Sequence, residues 1–221
     1  MSAAESSPDG NAAAPRMKND MGARFHAWLM SHAGPRYDAF TAERKRALLG
    51  GLRGNILEIG PGTGPNLRYY SRGNSWIGVE PNAHMDRHLA RAITDAGVAA
   101  VIRHGYAERL PVEDASQDAV VSTLVLCSVV SPEQVLNEIR RVLKPGGQFV
   151  FLEHVAAPLG TRLRKVQRWL RPIEMWIGNG CHPDRETWQA IEAAGFARVE
   201  IEHFRLPLAH VAPQIAGRAI K

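Results

Sequence analysis

Residues 56–67 read ILEIGPGTGPNL. One acid, Glu58, stands inside an apolar run, and Gly60, Gly62 and Gly64 follow at once. An apolar run that ends in glycines reads as a buried strand entering a turn. A turn is served by one glycine, whereas three let the backbone come close to a ligand. A dinucleotide loop requires G-x-G-x-x-G. Counted from Gly60 or from Gly62, the last glycine of that pattern is replaced by Pro65 or Leu67. A P-loop requires Gly-Lys-Ser/Thr, which is also missing. What remains is E-x-G-x-G-x-G. A carboxylate beside the loop repels phosphate and suits an ammonium group.

The next strand, SWIGVE over 75–80, ends in Glu80. A carboxylate there can accept both hydroxyls of a ribose. The ligand therefore carries an amino group and a ribose, and S-adenosylmethionine has both.

Further along, strand and helix patterns alternate. Helices are expected over Met17–Ala33, closed by Gly34-Pro35, and over Tyr37–Leu49 with its basic residues outward. The first carries Met21, Phe25, Trp28, Leu29 and His32 on one face. A helix capped by Asn82 and stopped by Gly97 precedes the strand AAVIRH. QDAVVSTLVLCS reads as a central strand buried on both faces. SPEQVLNEIRRVLKPGG reads as a helix with Ser131 as N-cap, Gln134 completing a capping box, and Gly146-Gly147 as terminator. QFVFLEHV is a fifth strand. A basic amphipathic helix interrupted near Pro172 follows, then a helix capped by Asp184, then two closing strands. This order implies an α/β fold: a doubly wound, seven-stranded, mostly parallel sheet with an antiparallel edge strand. Residues 1–16 read as a disordered lead. Residues 17–221 read as one domain, with 17–50 as an N-terminal helical cap and 156–185 as a lid insert.

The chain has 221 residues, 45% of them hydrophobic and 22% charged, with a net charge of +5. Those values suit one soluble globular domain with mild attraction for anions. No apolar run reaches the ~18 residues of a membrane span. The two cysteines, Cys127 and Cys181, form no CxxC and read as free thiols in a reducing cytoplasm. The nine histidines form no HxxxH or HExxH spacing, so no metal is expected. Helix-turn-helix, RNP and zinc-finger patterns are absent, so no nucleic-acid partner is expected.

LEIGPGTG, GVEPN, GYAERLPVEDASQDAVVSTLVL and EIRRVLKPGGQFVFLEH stand in the order of the motifs of the class I S-adenosylmethionine-dependent methyltransferases, which the chain resembles from about Asn55 to Val155. STLVLCSV, FLEHVA, Gly180-Cys181, RETW and PQIAGRAIK resemble the methyltransferase-like group that includes the mammalian alkyl-thiol S-methyltransferases. Those proteins carry a hydrophobic N-terminal anchor, whereas this chain has a polar lead and an amphipathic helix. The resemblance implies S-adenosyl-L-methionine as cofactor and S-adenosyl-L-homocysteine as product. It places Gly60, Gly62 and Gly64 at the methionine part, Glu80 at the ribose, Tyr106 and Ala107 around the adenine, and Thr123 under the sulfonium. It further implies that Pro81, Asn82 and Met85 line the adenine slot.

The resemblance also implies a small-molecule acceptor, most readily a thiol, methylated on sulfur. The alternatives are carbon, nitrogen or oxygen methylation of a lipid, quinol or natural-product intermediate, and a module that binds the cofactor without turnover. Candidates for the acceptor pocket are Tyr37, Cys127, His154, Trp176, Cys181 and Arg185, with His154 first as an acid/base or orienting group. Plainer readings stand beside these: a core histidine for His154 and a small buried apolar residue for Cys127. The basic helix over 161–177 has two readings, a lid whose apolar face covers the site and a peripheral membrane contact.

Overall fold

The computed structural model describes residues 20–221. The expected disordered lead over 1–16, and residues 17–19 of the expected cap, lie outside the described residues. The first five strands are β1 (Asn55–Ile59), β2 (Ser75–Val79), β3 (Ala99–Arg103), β4 (Gln117–Thr123) and β5 (Leu143–His154). β6 (Arg198–Arg205) and β7 (Pro213–Ile220) close the chain. The helices are α1 (Asp20–Leu49), α2 (Asp86–Ala96), α3 (Pro132–Val142), α4 (Arg162–Ile177) and α5 (Thr187–Ala193).

The sheet order is β3-β2-β1-β4-β5-β7-β6. β1 to β5 pair in parallel, and β7 runs antiparallel to both of its neighbours. The expected doubly wound α/β sheet is present. The reversed strand at that edge is β7, one place in from β6. Because side chains alternate across a strand, each central strand feeds two cores. Leu57, Ile59, Val120, Phe149 and Phe151 pack with α3 and α5, while Ile56, Ala119, Val121 and Val150 pack with Trp76 and Leu89. Each such fully buried large side chain contributes roughly 1.5–3 kcal/mol. The outermost strand β6 alternates half-buried Val199 and Ile201 with exposed Arg198, Glu200 and Glu202, a charged edge that resists pairing with another sheet.

Several element ends differ from expectation. α1 runs unbroken through Pro35. Gly34 lacks the Cβ that clashes with a following proline ring, so the helix continues. The basic residues of its second half do not all face outward. Lys45 is 1% exposed, with its ammonium 2.8 Å from Asp38 two turns earlier. Tyr69 donates to the same carboxylate, and Arg68 contacts it. Burial pushes the Lys45 ammonium down to about 8, against the opposing charge of Glu58.

β4 stops at Thr123, because Leu124 turns left-handed (φ 58°) and leads the apolar run out of the sheet. α3 ends at Val142 rather than at Gly146-Gly147, since Leu143 already pairs with Gln117. Ser131 caps α3 as expected, but the Gln134 side chain donates to Glu108 rather than closing the box. α4 is continuous through Pro172. Gln167 before the proline and Glu174 after it both bond to His210, which holds the two halves in line. α5 begins at Thr187 with Glu186 at its N-cap, while Asp184 faces Arg171 at 3.9 Å.

The strand order reverses between β1 and β4, so the crevice beyond their carboxyl ends is the switch point where ligands bind in such sheets. The glycine loop lies at one side of it and the loop after β4 at the other.

Candidate functional site

Gly60, Gly62 and Gly64 all hold positive φ, at 58°, 55° and 80°. Only glycine adopts these values without strain. Two of the three are also pressed against the protein's own side chains. A Cβ at Gly60 would meet Val125 at 2.8 Å, and one at Gly64 would meet Ala92 at 2.8 Å and Leu89 at 2.9 Å. A Cβ at Gly62 would meet nothing within 4 Å. The open side of the loop is therefore over Gly62.

The loop amides are not free, contrary to a loop that offers its N–H groups to a ligand. Gly60 N–H donates to Val79 O, Gly62 N–H to Glu80 Oε2, and Gly64 N–H to Pro61 O. These three amides are spent internally and cannot cradle a phosphate, which agrees with the missing P-loop and dinucleotide patterns.

Glu58 does not reach the crevice with a free carboxylate. It is 1% exposed and accepts from Tyr70 OH at 2.7 Å, Asn66 Nδ2 at 2.8 Å and Trp76 Nε1 at 3.1 Å. Burial raises its pKa, and the three donors pull against that. Its influence passes through Asn66, which the sequence reading missed. The Asn66 amide donates to both Glu58 and Thr123 Oγ1, so its orientation is fixed. Its Oδ1 is then a buried acceptor with no hydrogen-bond partner. Asn66 stands in the same stretch as the glycines, in Gly64-Pro65-Asn66. Its polarity just after the glycines was the available signal.

Glu80 directly follows β2 and is 5% exposed. It accepts from Gly62 N–H and Asn82 N–H, each at 3.0 Å, one on each oxygen. Each oxygen keeps a further lone pair for a hydroxyl. Burial raises the Glu80 carboxyl, with those two backbone bonds opposing it. Pro81 is half-buried and Met85 fully buried beside it. The Asn82 side chain is committed elsewhere, accepting from His84 N and donating to Ala23 O of α1. Tyr106 is half-buried, Ala107 packs in the core, and Thr123 accepts from Asn66.

The first half of α1 meets this region through small residues. Ala23 and Ala27 are buried, while Met21, Phe25 and Trp28 are 75%, 45% and 55% exposed. The expected apolar face therefore points away from the protein, and the small face packs toward the loop after β2. α4 shows the same inversion. Gln167 is buried and bonds to Val155 O and Ala157 N, whereas Trp169 and Trp176 are each 74% exposed. The reading of 156–185 as a lid with its apolar face over the site is corrected on this point, and Trp176 leaves the list of pocket residues.

The remaining candidates gather at the carboxyl ends of β4 and β5. His154 is 5% exposed, and its Nε2 lies 3.2 Å from Cys181 Sγ. Cys127, His154 and Cys181 have their ligand-capable atoms within 4.8 Å of one another. Both thiols are free and buried. The Cys127 thiol donates to Leu124 O at 3.6 Å, and its contact with Cys181 lowers Cys127 and pushes Cys181 up. Burial alone would lower His154, but the neighbouring Cys127 outweighs it. Tyr37 donates to Gln214 Oε1 at 3.0 Å, and burial raises its phenol. Arg185 spends its guanidinium on Leu126 O at 2.6 Å and Val129 O at 2.8 Å. It braces the loop that carries Cys127 rather than facing open space.

The comparisons with known proteins agree with this geometry. A family profile described as "Methyltransferase domain" matches residues 57–151. The chain is 36% identical to human "Thiol S-methyltransferase TMT1B" over 216 residues, covering 89% of this chain and 86% of that protein. It is 42% identical to the Rattus norvegicus TMT1B over 177 residues, covering 75% and 70%. Human "Thiol S-methyltransferase TMT1A" is 36% identical over 204 residues, covering 84% and 81%. Among solved structures, geranyl diphosphate C-methyltransferase from Streptomyces coelicolor, bound to S-adenosyl-L-homocysteine, superposes with a TM-score of 0.66 at 15% identity, covering 84% and 76%.

Fold, loop set and likeness define a class I S-adenosylmethionine-dependent methyltransferase. Within that class, the chain belongs to the family that includes the TMT1A and TMT1B proteins. Its residues fit the cofactor: Asn66 Oδ1 is an unpartnered buried acceptor, Glu80 keeps lone pairs, and the space over Gly62 is clear. No helix among the described residues is long and apolar enough to cross a membrane.

Proposed function

We propose that the chain transfers the methyl group of S-adenosylmethionine to the sulfur of a small-molecule thiol. The observation that carries this reading is the extent of the likeness to the TMT1 proteins. It spans 89% of the chain and so takes in Tyr37 and Cys181, well outside the cofactor domain at 57–151.

The cofactor supplies an electrophilic methyl on a sulfonium. Asn66 Oδ1, held by Glu58 and Thr123, accepts from the ammonium group. Glu80 takes the ribose hydroxyls. The left-handed loop removes side chains from the line of approach at Gly62. Pro81, Met85, Tyr106 and Ala107 flank the adenine. The cluster of Tyr37, Cys127, His154 and Cys181 at the ends of β4 and β5 would orient an acceptor sulfur toward the methyl group, and holding two reactants in a near-attack arrangement lowers a barrier by several kcal/mol. A free thiol with a pKa near ~8.5 is already a few per cent thiolate at neutral pH, so transfer does not depend on a dedicated base.

A second reading concerns place. Val166, Trp169, Ile173 and Trp176 are exposed on α4, at 43%, 74%, 48% and 74%, with Arg162, Lys165 and Arg168 exposed on the same helix. An exposed apolar stripe beside cations suits an anionic membrane surface. The protein then works on the cytoplasmic side of a membrane, where a reducing environment suits its two free thiols.

The test is a mass-spectrometric assay with purified protein, cofactor labelled in the methyl group, and a mixed panel of thiols, amines, quinols and phospholipids. Labelled thioether is expected. Label confined to carbon, nitrogen or oxygen would overturn the thiol reading.

A further inference from the structure

Cys127, His154 and Cys181 come from three separate places: the loop after β4, the end of β5, and the segment after α4. Nothing in their sequence spacing announces a metal site, yet the fold presses two thiols and an imidazole together within 4.8 Å, all buried. The set contains soft sulfur and imidazole nitrogen and no carboxylate. It is the Cys2His donor set that holds zinc tetrahedrally while leaving one position open.

The three donors are pre-positioned. Leu124 turns left-handed to bring Cys127 toward β5, and Arg185 fixes that loop through Leu126 O and Val129 O. His182 N–H donates to Cys127 O at 2.9 Å, which laces the Cys181 segment to the Cys127 loop. Gly180 holds φ 96°, and a Cβ there would meet Ser128 O at 3.1 Å, so the two segments lie in close contact. His154 is held in register against Gln214 of β7. At ordinary Zn–S and Zn–N lengths a tetrahedral site sets its ligand atoms roughly 3.5–3.8 Å apart, so His154 Nε2 and Cys181 Sγ separate slightly from 3.2 Å while the other atoms, all within 4.8 Å, adjust around the ion.

We propose that Cys127 Sγ, Cys181 Sγ and His154 bind one zinc ion, and that the fourth position takes the acceptor as its thiolate. Zinc binding releases the two cysteine protons. An incoming thiol loses its proton to solvent on coordination, because metal-bound thiols are deprotonated. Its sulfur lone pair then forms the new S–CH3 bond, and the electron pair of the broken sulfonium C–S bond stays on the donor sulfur. No oxidant or reductant is needed. The position is suitable: Val125, two residues before Cys127, packs on Gly60 of the glycine loop. The zinc site stands on the cluster geometry alone, whereas the role of its fourth position rests on the thiol reading above.

The test titrates the reduced, full-length chain with Co(II) as a spectroscopic substitute for Zn(II), with native mass spectrometry for stoichiometry. One ion per chain is expected, with thiolate-to-cobalt charge transfer and intense tetrahedral d–d bands. A simple alkyl thiol should shift those bands, and the matching alcohol should leave them alone. Cys127→Ser, Cys181→Ser and His154→Ala should each weaken binding by about 100-fold while cofactor affinity, read by calorimetry, stays near wild type. The wild-type spectrum carries the result even where a variant fails to fold. No stoichiometric ion, or a charge-transfer band that survives in the Cys127→Ser/Cys181→Ser double variant, would overturn the site. Unchanged thiol methylation after complete chelation would remove the metal's role and leave the thiol reading intact. A bound ion without any thiol methylation would do the reverse.

Discussion

Alanine at Gly62 and at Gly64 should fail in opposite ways. Both residues hold left-handed φ, which costs an alanine about 1–2 kcal/mol. At Gly62 that is the whole cost to the fold, because a Cβ there meets no protein atom within 4 Å. At Gly64 the Cβ also lies 2.8 Å from Ala92, 2.9 Å from Leu89 and 3.0 Å from Leu67. Overpacking of that kind adds about 1–3 kcal/mol. Gly64→Ala should therefore lose roughly 2–5 kcal/mol in urea unfolding, and Gly62→Ala roughly 1–2. The order should invert in calorimetric titration with S-adenosylmethionine. The methyl at position 62 occupies the clear side of the loop, and affinity should fall at least tenfold, about 1.4 kcal/mol. Folded Gly64→Ala should bind more tightly than Gly62→Ala. Wild-type affinity in a folded Gly62→Ala protein would refute the assignment of that side of the loop to the cofactor.

Other outcomes follow from the same geometry. Glu80→Gln has one acceptor oxygen where the Gly62 and Asn82 amides and the ribose hydroxyls need two, so cofactor affinity should drop about 10- to 100-fold; an unchanged calorimetric constant would remove Glu80 from the ribose. Lys45 is depressed to about 8 from 10.5, so between those values the unfolded chain holds a proton that the folded chain has released. Stability contributed by this group therefore rises with pH across that window, by about 3 kcal/mol in all. Urea melts of wild type and Lys45→Met/Asp38→Asn at pH 7.5 and 10 should differ in slope by that order, and parallel behaviour would show that the ammonium is not penalised by burial. Trp169→Ser/Trp176→Ser should leave stability unchanged, since both rings are 74% exposed, and should cut sedimentation with anionic vesicles several-fold. Equal sedimentation would take α4 off the membrane.

Signals carried by neighbours in sequence were the legible ones. The apolar runs in NILEI and SWIGV gave β1 and β2, Ser131 gave the start of α3, and Gly97 gave the left-handed end of α2. Glu80 was legible because a strand end fixes where its side chain stands. The orientation of α4 was not. Its amphipathic pattern is satisfied by either face turning inward, and hydrogen bonds from Gln167 to Val155 O and His210 O decided the matter from outside the helix. Lys45 read as a surface cation because its partner Asp38 acquires meaning only once Tyr69 closes over both. The Cys127–His154–Cys181 cluster has no local signature, since the loop after β4, the end of β5 and the segment after α4 must meet before it exists.

A one-pot competition decides whether sulfur is the atom methylated. A thiol, an alcohol and an amine on the same carbon skeleton are offered in equal amounts with methyl-labelled cofactor, and the products are weighed by mass spectrometry. Label is expected on sulfur in large excess over oxygen and nitrogen, with S-adenosyl-L-homocysteine formed in equal amount. Label on the amine or alcohol with the thiol untouched would contradict the thiol reading.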